Sequence, residues 1–442
     1  MLDIINIVSK DADILQRIGA AIRQRRLEVG LSQEKLAQKS EVDRSFIISV
    51  ERGDTNLSVI TLCAITNAMG QDLATFAESL KLPTFEAGDG IVTEGIAPDL
   101  FNGVDVDTPA YGALRAIDLF AGIGGIRMGF DQAFGSGIDT VFVSEWDTAA
   151  QKTYNANFPS IHPINGDITK IDEKDIPEFD ICLAGFPCQA FSLAGQRKGF
   201  NDDYKGMSRG TLFFDVARIC SHHKPKVIFC ENVKGLTIHD KGKTFKIIVG
   251  TLEQMGYKVF HKVLNSKDFG VPQNRERIYI VAFRKDIAPE KFDFPRPTGI
   301  KVCIKDIMES KPVPAKYYLS TQYMDTLRRH KERHAAKGNG FGYEIRPLDG
   351  IAGAIVCGGM GRERNLIIDH RQTDLTPTTH IKGEINREGI RKMTPREWAR
   401  LQGFPDSYQL VLSDVHLYKQ FGNSVTVPVI RAIAEEIKKV IL

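Results

Sequence analysis

The chain has 442 residues, of which 42% are hydrophobic and 26% charged, and its formal net charge is +3. This length predicts two or three domains, and the apolar fraction excludes an intrinsically disordered chain. No apolar run approaches the ~20 residues of a membrane span, and no basic-then-apolar leader is visible, which excludes a membrane partner and favours a cytoplasmic protein. The seven cysteines show no close pairing motif, so neither a disulfide framework nor a metal site is expected.

The first part of the chain is predicted to be an all-α domain over residues 14–81, because its apolar side chains recur at helical spacing. The first predicted helix carries Ile18 and Ile22, the second begins near Ser32, and the third begins at Asp43. The fourth runs from Leu57 to Met69 and the fifth from Leu73 to Leu80.

Residues 31–53, LSQEKLAQKSEVDRSFIISVERG, resemble the helix-turn-helix of the Cro/repressor family. The resemblance implies that Arg44 and Ser45 lie at the front of a recognition helix, which enters the DNA major groove in that family. A small helical bundle used for dimerisation or docking is the alternative, because helical spacing alone does not show groove binding.

Residues 82–114 are predicted to be a solvated linker, because they hold six acids and five glycines but no lysine or arginine. Apolar runs then alternate with helical patterns at 115–120, 140–144, 181–184 and 226–230. This rhythm predicts an α/β fold with a doubly wound sheet that is covered on both faces. From about 285 to 388 the chain is rich in Pro, Gly, Arg and His, and helical patterning returns at 394–442.

A nucleotide-like cofactor site is predicted where the first strands end. AIDLFAGIGG at 116–125 is a strand, a glycine turn and a helix start, although a G-x-G alone fits a structural turn equally well. The second strand ends in a carboxylate suited to ribose hydroxyls and a tryptophan suited to adenine, and a third unit ends in Asp167. The candidate residues are Asp118, Phe120, Ala121, Gly122, Gly124, Gly125, Glu145, Trp146, Asp167 and Ile168.

GFPCQAFS at 185–192 resembles the catalytic motif of the DNA cytosine-5 methyltransferases, and DLFAGIGG resembles their first motif. RGTLFFD (209–215), ENV (231–233), QNRER (273–277), 394–405 and QFGNSV (420–425) follow in the family's order. The resemblance implies a Rossmann-like S-adenosylmethionine-dependent domain over 115–284 and 389–442, with a smaller target-recognition domain over 285–388. It adds Pro187, Leu212, Asn423, Ser424 and Val425 to the cofactor-binding set.

The resemblance assigns the chemistry to a few side chains. Cys188 is the nucleophile that adds to cytosine C6, which makes C5 able to attack a methyl group. Glu231 acts at cytosine N3, and Arg277 binds the cytosine O2, with Arg275 beside it as a loop-fixing or phosphate contact. Without the resemblance, a lone cysteine is usually a small buried hydrophobe and Glu231 would be a polar strand end.

Duplex DNA is the expected partner, because the long recognition segment and the fused helix-turn-helix both favour it over tRNA. The target base must then leave the helix to reach a thiol. The loop at 189–209 is expected to close over the flipped base with Gln189, Ser192, Arg197, Lys198 and Arg209 on the DNA. On the glycine-rich loop at 358–365, Arg362, Arg364 and Asn365 are predicted to read bases, with solvated surface charge as the alternative.

Three broader interpretations remain open at this stage. The favoured one is the modification enzyme of a restriction–modification system, monomeric on its target, whose front domain also regulates transcription or dimerises and whose cognate endonuclease acts separately. The others are a tRNA cytosine-5 methyltransferase and a DNA-binding repressor with a non-catalytic methyltransferase-like domain. An intact set of Cys188, Glu231 and Arg277 argues against the repressor.

Overall fold

The structure is a computed structural model, in which the residues described below are 16–40, 42, 44–52, 59–71, 75–76, 80, 113–158, 163–187, 203–204, 207–208, 212–358, 361–374, 376 and 383–442. They fall into two compact units, one before and one after residue 98. Within the described residues, no helix combines the length and the apolar character needed to span a membrane.

The first unit is helical, as predicted. Residues 16–28 form a helix, and three more follow: α1 (Gln33–Ser40), α2 (Arg44–Arg52) and α3 (Val59–Ala68). Ile22, Leu36, Ile47 and Ile65 from these four helices share one buried cluster, which confirms the predicted inward faces. Asp43, Gly53, Leu57 and most of the predicted helix over 73–80 lie outside the described residues.

The first unit is further held together by a nearly buried ion pair. The Arg26 guanidinium donates to both carboxylate oxygens of Glu51, at 2.5 and 2.9 Å, and Gln33 donates to the same carboxylate at 2.8 Å. These contacts join the first helix to α1 and α2, and they hold the pKa of Glu51 below its usual value despite its burial.

The second unit is built on a six-stranded sheet with the order β2-β1-β3-β4-β6-β5. Its strands are β1 (Leu114–Leu119), β2 (Ile138–Ser144), β3 (Ile181–Ala184), β4 (Val227–Val233), β5 (Tyr257–Asn265) and β6 (Glu276–Arg284). The four predicted strands are β1 to β4 and run parallel, which confirms the α/β fold. The other two strands were not predicted: β6 pairs antiparallel with β4, and β5 pairs antiparallel with β6.

The helices of the second unit are α4 (Gly125–Phe134), α5 (Thr148–Asn157), α6 (Leu212–His223), α7 (Lys243–Gln254), α8 (Ile304–Ile307), α9 (Thr321–Ala335), α10 (Pro395–Leu401), α11 (Asp414–Asn423) and α12 (Val427–Ile441). Three short strand pairs accompany them: Asp203–Tyr204 with Met207–Ser208, Gln273–Asn274 with Ala352–Gly353, and β7 (Leu366–Ile368) with β8 (Ile390–Lys392).

Both faces of the sheet are covered, as a doubly wound sheet requires. Along β4, Ile228 and Cys230 pack into the cluster that contains α6 and α7, whereas Val227 and Phe229 pack into the cluster that contains α4 and α12. Because successive side chains of a strand point to opposite faces, this alternation places one helical layer on each side of the sheet.

One strand boundary differs from its prediction. Glu231 and Asn232 were expected just after a strand ending at Cys230, but they lie inside β4. The antiparallel pairing of β4 with β6 continues through Glu231 opposite Tyr279 to Val233 opposite Arg277. The unpredicted neighbouring strand therefore lengthens β4 and fixes the backbone beneath Glu231.

The boundaries proposed for the target-recognition segment stay a prediction. Some of its apolar residues, such as Ile304, Ile355 and Ile367, share a buried cluster with Trp398 and Phe421 from the C-terminal segment. Smaller clusters, one around Met324 and one around Tyr318, are confined to residues 313–390.

A fully buried charge network anchors β8. Arg391, with no exposed surface, donates to Asp369 at 2.9 Å and to both oxygens of Glu397 at 2.7 Å. Glu397 also accepts from the Thr394 amide, which completes a capping box at the start of α10. The guanidinium ions of Arg371 and Arg391 hold the pKa of Asp369 well below its usual range.

We expect Arg391→Met to lower the free energy of unfolding by about 3–5 kcal/mol, because it leaves the buried Glu397 without its cation and Asp369 with Arg371 alone. The control is Arg328→Met, which removes an exposed ion pair with Glu388 and should cost about 0–1 kcal/mol. Urea unfolding of both variants measures the difference. Equal losses in the two variants would contradict a structural role for the buried network.

Candidate active site

The candidate site lies at the carboxyl edge of the parallel strands. The glycine turn after β1, Glu145 after β2, Phe186 and Pro187 after β3, and Glu231 near the end of β4 all meet there. This edge is where α/β sheets bind ligands, because the loops that leave parallel strands open a cleft at that side.

The turn after β1 has an unusual backbone held by a carboxylate. Phe120, Gly122 and Gly124 have φ angles of 57°, 57° and 79°. Such a φ is rare for a residue with a side chain, so Phe120 marks a constrained position. The Gly122 amide donates to Glu145 Oε2 at 2.7 Å, and the Asp147 amide donates to Oε1 at 2.8 Å.

Glu145 therefore fixes the shape of the turn from the neighbouring strand. It is 7% exposed, and burial raises its pKa although the two amides favour its charged form. Trp146 beside it is 48% exposed, so its indole lies on the surface at the rim of the cleft.

The C-terminal motif packs against the start of α4. A Cβ on Gly125 would lie 2.8 Å from Ser424 Oγ and 2.9 Å from a methyl group of Val425, so only glycine fits there. Val425 is buried, Ser424 half-buried and Asn423 exposed. Ser424 and Asn423 thus form part of the wall beside the turn.

Asp118 requires a correction. It was expected to bind the cofactor, but it is 1% exposed and accepts a hydrogen bond from the Tyr154 hydroxyl at 3.3 Å. Burial raises its pKa to about 7, against the attraction of Arg127. The carboxylate is therefore enclosed beside Tyr154 and is not exposed to a ligand.

The remaining predicted cofactor residues are placed around the same edge. Ala121 donates its amide to the Ser144 carbonyl, which joins the turn to β2. Asp167 caps a short turn through the Thr169 amide, and the Ile168 side chain beside it is buried. Leu212, half-buried, begins α6.

Glu231 is a buried carboxylate whose Oε1 has no hydrogen-bond partner among the described residues. Arg277 Nε lies 3.2 Å from that oxygen as an ion pair. Burial raises the pKa of Glu231, and the charges of Arg277 and Arg275 only partly oppose the shift. A carboxyl group in this state is suited to take a proton and donate it in a hydrogen bond.

Asn232 joins β4 to the loop after β3. Its amide donates to the Phe186 carbonyl at 3.2 Å, while its oxygen accepts from the Val233 amide at 2.9 Å. Phe186 is buried and packs on Phe213 of α6. Pro187 is thereby held at the edge of the sheet. Cys188, Gln189, Ser192, Arg197, Lys198 and Arg209 lie outside the described residues.

Arg275 fixes loops and does not contact phosphate in this structure. It is 2% exposed, and its guanidinium donates to the carbonyls of Ile355 and Ser424, both at 2.6 Å, and of Gly422 at 3.4 Å. Of the two roles expected for it, these contacts favour the loop-fixing one, and its role stays a prediction.

A buried polar network around Arg275 was not predicted. Gln273 donates to the Leu401 carbonyl, and Gln402 donates to the carbonyls of Phe421 and Ser424. The available signal was that Gln273 and Gln402 lie inside the motifs at 273–277 and 394–405.

The glycine-rich loop separates its three predicted base readers. Asn365 is fully buried and its oxygen accepts from the Gly353 amide at 2.8 Å, so it shapes the loop and does not read a base. The Arg362 guanidinium lies 5.4 Å from the ring of the buried Tyr418. Arg364 lies over the exposed ring of Phe341.

In the front unit, Arg44 is exposed at the first turn of α2, where a recognition helix is expected to begin. The Ser45 side chain lies outside the described residues.

Comparison with known proteins decides the family. The family model of the C-5 cytosine-specific DNA methylases matches residues 114–439, and a helix-turn-helix model matches residues 22–76. The chain belongs to the C-5 cytosine-specific DNA methylases. It is a DNA cytosine-5 methyltransferase with a helix-turn-helix region in front.

Relatives support the assignment over the same segment. The chain is 63% identical over 325 residues to the Type II methyltransferase M.HpaII of Haemophilus parainfluenzae, covering 73% of this chain and 88% of the relative. It is 49% identical over 342 residues to the Type II methyltransferase M.SsoII of Shigella sonnei, covering 75% and 83%. The S. pombe Dnmt2 methyltransferase, 20% identical over 74% of this chain and 100% of its own, shares the fold with a TM-score of 0.57.

Glu231→Gln should reveal the cost of the buried carboxylate. Because burial raises its pKa, Glu231 lowers the free energy of unfolding progressively as the pH rises from its unfolded pKa to its folded pKa, and the penalty is absent below the unfolded pKa. We expect the glutamine variant to be more stable by about 1–3 kcal/mol at pH 8 and to lose this advantage towards pH 5.

Chemical unfolding across that pH range measures the effect, with the exposed Glu276→Gln as the control. A stability difference for Glu231→Gln that does not change with pH would show that the carboxylate is not destabilised by burial.

Proposed function

We propose that this methyltransferase acts on a flipped-out cytosine in duplex DNA through a covalent bond from Cys188 to C6, with S-adenosylmethionine as the methyl donor. The observation that carries the proposal is Glu231, a buried carboxyl group whose Oε1 is ion-paired with Arg277 but accepts no hydrogen bond from the described residues. It lies one residue from Asn232, which holds the loop that leads to Cys188.

The residues around the glycine turn fit the proposed donor. The backbone of Phe120 to Gly124 leaves no side chain in the way at Gly122 and Gly124, and Glu145 and Trp146 offer a carboxylate and an exposed indole. Asp167, Leu212 and Ser424 stand at the same edge, with Pro187 leading away from it. When bound there, S-adenosylmethionine supplies an electrophilic methyl group on a sulfonium.

In the proposed reaction the Cys188 thiolate adds to C6, and the electrons of the C5–C6 double bond move towards N3 and O2. Glu231, protonated because burial favours its neutral form, donates a hydrogen bond at N3. Arg277 offers its guanidinium to O2. Carbon C5 would then bond to the donor's methyl group as the methyl–sulfonium bond breaks, with the electron pair of that bond staying on the sulfur of the departing thioether. A base would take the C5 proton, and the restored C5–C6 double bond would expel the cysteine thiolate.

The proposed DNA contacts are of two kinds, one to the DNA backbone and one to the bases. The DNA backbone and the space left by the flipped base are contacted by five residues of the catalytic loop: Gln189, Ser192, Arg197, Lys198 and Arg209. Arg364, with Arg362 as the second candidate, reads a guanine edge in the target site.

We assign the enzyme to the modification arm of a restriction–modification system that acts in the cytoplasm, with a separate endonuclease as its counterpart. The relatives named as Type II methyltransferases support this assignment. The front domain is proposed to bind operator DNA and regulate transcription, which the exposed Arg44 at the start of α2 favours.

We expect Cys188→Ser to abolish methylation while the fold is retained, because a hydroxyl is a far weaker nucleophile than a thiolate at C6. Bisulfite sequencing of DNA from cells that express each protein measures the activity and reveals the target sequence. The control is Cys303→Ser, which replaces a partly exposed cysteine away from the proposed site. Turnover by Cys188→Ser near that of the control would refute the covalent mechanism.

A shortened protein that begins at Tyr111 should keep methyltransferase activity and lose operator binding, because the acidic, glycine-rich segment over 82–114 is expected to separate two domains. The full-length Arg44→Ala variant is its matched control, since it should lose operator binding alone. If the shortened protein folds but cannot methylate DNA, the front domain belongs to the catalytic machinery.

A further inference from the structure

Phe341 is an exposed aromatic residue inside a column of planar side chains. It is 56% exposed, and the Arg364 guanidinium lies over its ring, 5.7 Å from the centroid. The His334 ring meets Phe341 in a T-shaped contact at 5.8 Å, and His330 packs on His334 at 4.4 Å. We call His330, His334, Phe341 and Arg364 the aromatic column.

The turn that carries Phe341 is fixed against α9. Gly342 touches that helix so closely that a Cβ there would lie 2.8 Å from Lys331 Cγ. Lys331 in turn donates to the Tyr343 carbonyl at 3.2 Å and lies over the Tyr343 ring. The position of the Phe341 ring is therefore fixed, although this exposed side chain contributes little to the hydrophobic core.

The backbone under Arg364 is fixed to the same turn. The Glu344 amide donates to the Glu363 carbonyl at 2.9 Å, and the Leu366 amide donates to the Glu344 carbonyl at 3.0 Å. The Arg346 side chain also donates to the Arg364 carbonyl at 3.2 Å. Main-chain pairing thus holds Phe341 and Arg364 on adjoining segments of one body.

The contact with Phe341 leaves the hydrogen-bonding edge of Arg364 available. Among the described residues no carboxylate pairs with its guanidinium, in contrast to Arg371 and Arg391 on neighbouring segments. A cation over an aromatic face is attracted through its plane, and its N–H donors remain free at the edge. Guanine offers two acceptors that match such an edge.

We propose that Phe341 is a specificity-determining positioning residue, whose ring orients the Arg364 guanidinium for its base contact. The inference rests on the proposed function in one respect, that Arg364 reads a base of the target site. Because the ring restricts Arg364 to one orientation, the guanidinium loses less conformational entropy when it binds a base. The resulting gain in affinity appears only with the correct base. Phe341 therefore acts on discrimination and not on general DNA affinity.

The test compares kcat/KM on the cognate duplex and on duplexes altered at one base, after the target is known from bisulfite sequencing. The variants are Phe341→Ala, Phe341→Tyr, Arg364→Ala and the double alanine variant, with Ile300→Ala as a control for loss of an exposed apolar side chain. Arg209→Ala removes the proposed contact with the DNA backbone. This loss should weaken binding to all duplexes, and it should reduce the slope of log binding constant against log salt concentration, the salt slope, by about one unit.

We expect Phe341→Ala to lower discrimination about two- to fivefold at the position that Arg364→Ala relaxes, with an unchanged salt slope. Phe341→Tyr keeps the ring face and should restore discrimination. The double variant should discriminate no worse than Arg364→Ala alone, because both changes remove one function.

Additive effects in the double variant, or equal losses of Phe341→Ala on every duplex, would overturn the role of Phe341 while leaving base reading by Arg364 intact. Unchanged discrimination in Arg364→Ala would instead overturn base reading and the column's role together, although the variant still methylates DNA.

Discussion

The site depends on one buried guanidinium. Arg275, just before β6, donates to carbonyls at Ile355, Gly422 and Ser424, which are far apart in the chain but meet at the edge of the sheet. Each hydrogen bond from a charged donor contributes about 1.5–3 kcal/mol. The wall beside the glycine turn exists because this cation holds the C-terminal segment there.

A second consequence of burial concerns the chemistry. Arg275 and Arg277 lie on the same sheet edge as Glu231, yet their charges do not cancel the rise that burial causes in its pKa. The protein thus retains an acid that costs stability when ionised, a common feature of catalytic groups. The buried charge of Arg391 differs from that of Glu231, because Arg391 pairs directly with two carboxylates. We interpret this pairing as stabilising the fold.

The sequence predicted those structural elements that depend on local sequence patterns. Alternating apolar runs located β1 to β4, and the resemblance located the glycine turn and Glu231. It did not reveal what distant pairing controls: the extension of β4 by β6, the burial of Asp118 under Tyr154 and of Asn365 beside Gly353. Phe341 carried no signal at all, because a phenylalanine in a glycine-rich turn predicts neither its exposure nor the cation above it.

Asn232, Glu231 and Arg277 form the edge that we propose delivers Cys188 to cytosine C6. Duplex DNA with 5-fluorocytosine at the target position tests it most directly, because fluorine cannot leave as a proton does and the covalent bond persists. After incubation with S-adenosylmethionine, denaturation and peptide mapping, we expect a DNA adduct on the peptide that contains Cys188. A stable adduct on another residue, or methylation of ordinary cytosine with no adduct on the fluorinated base, would contradict it.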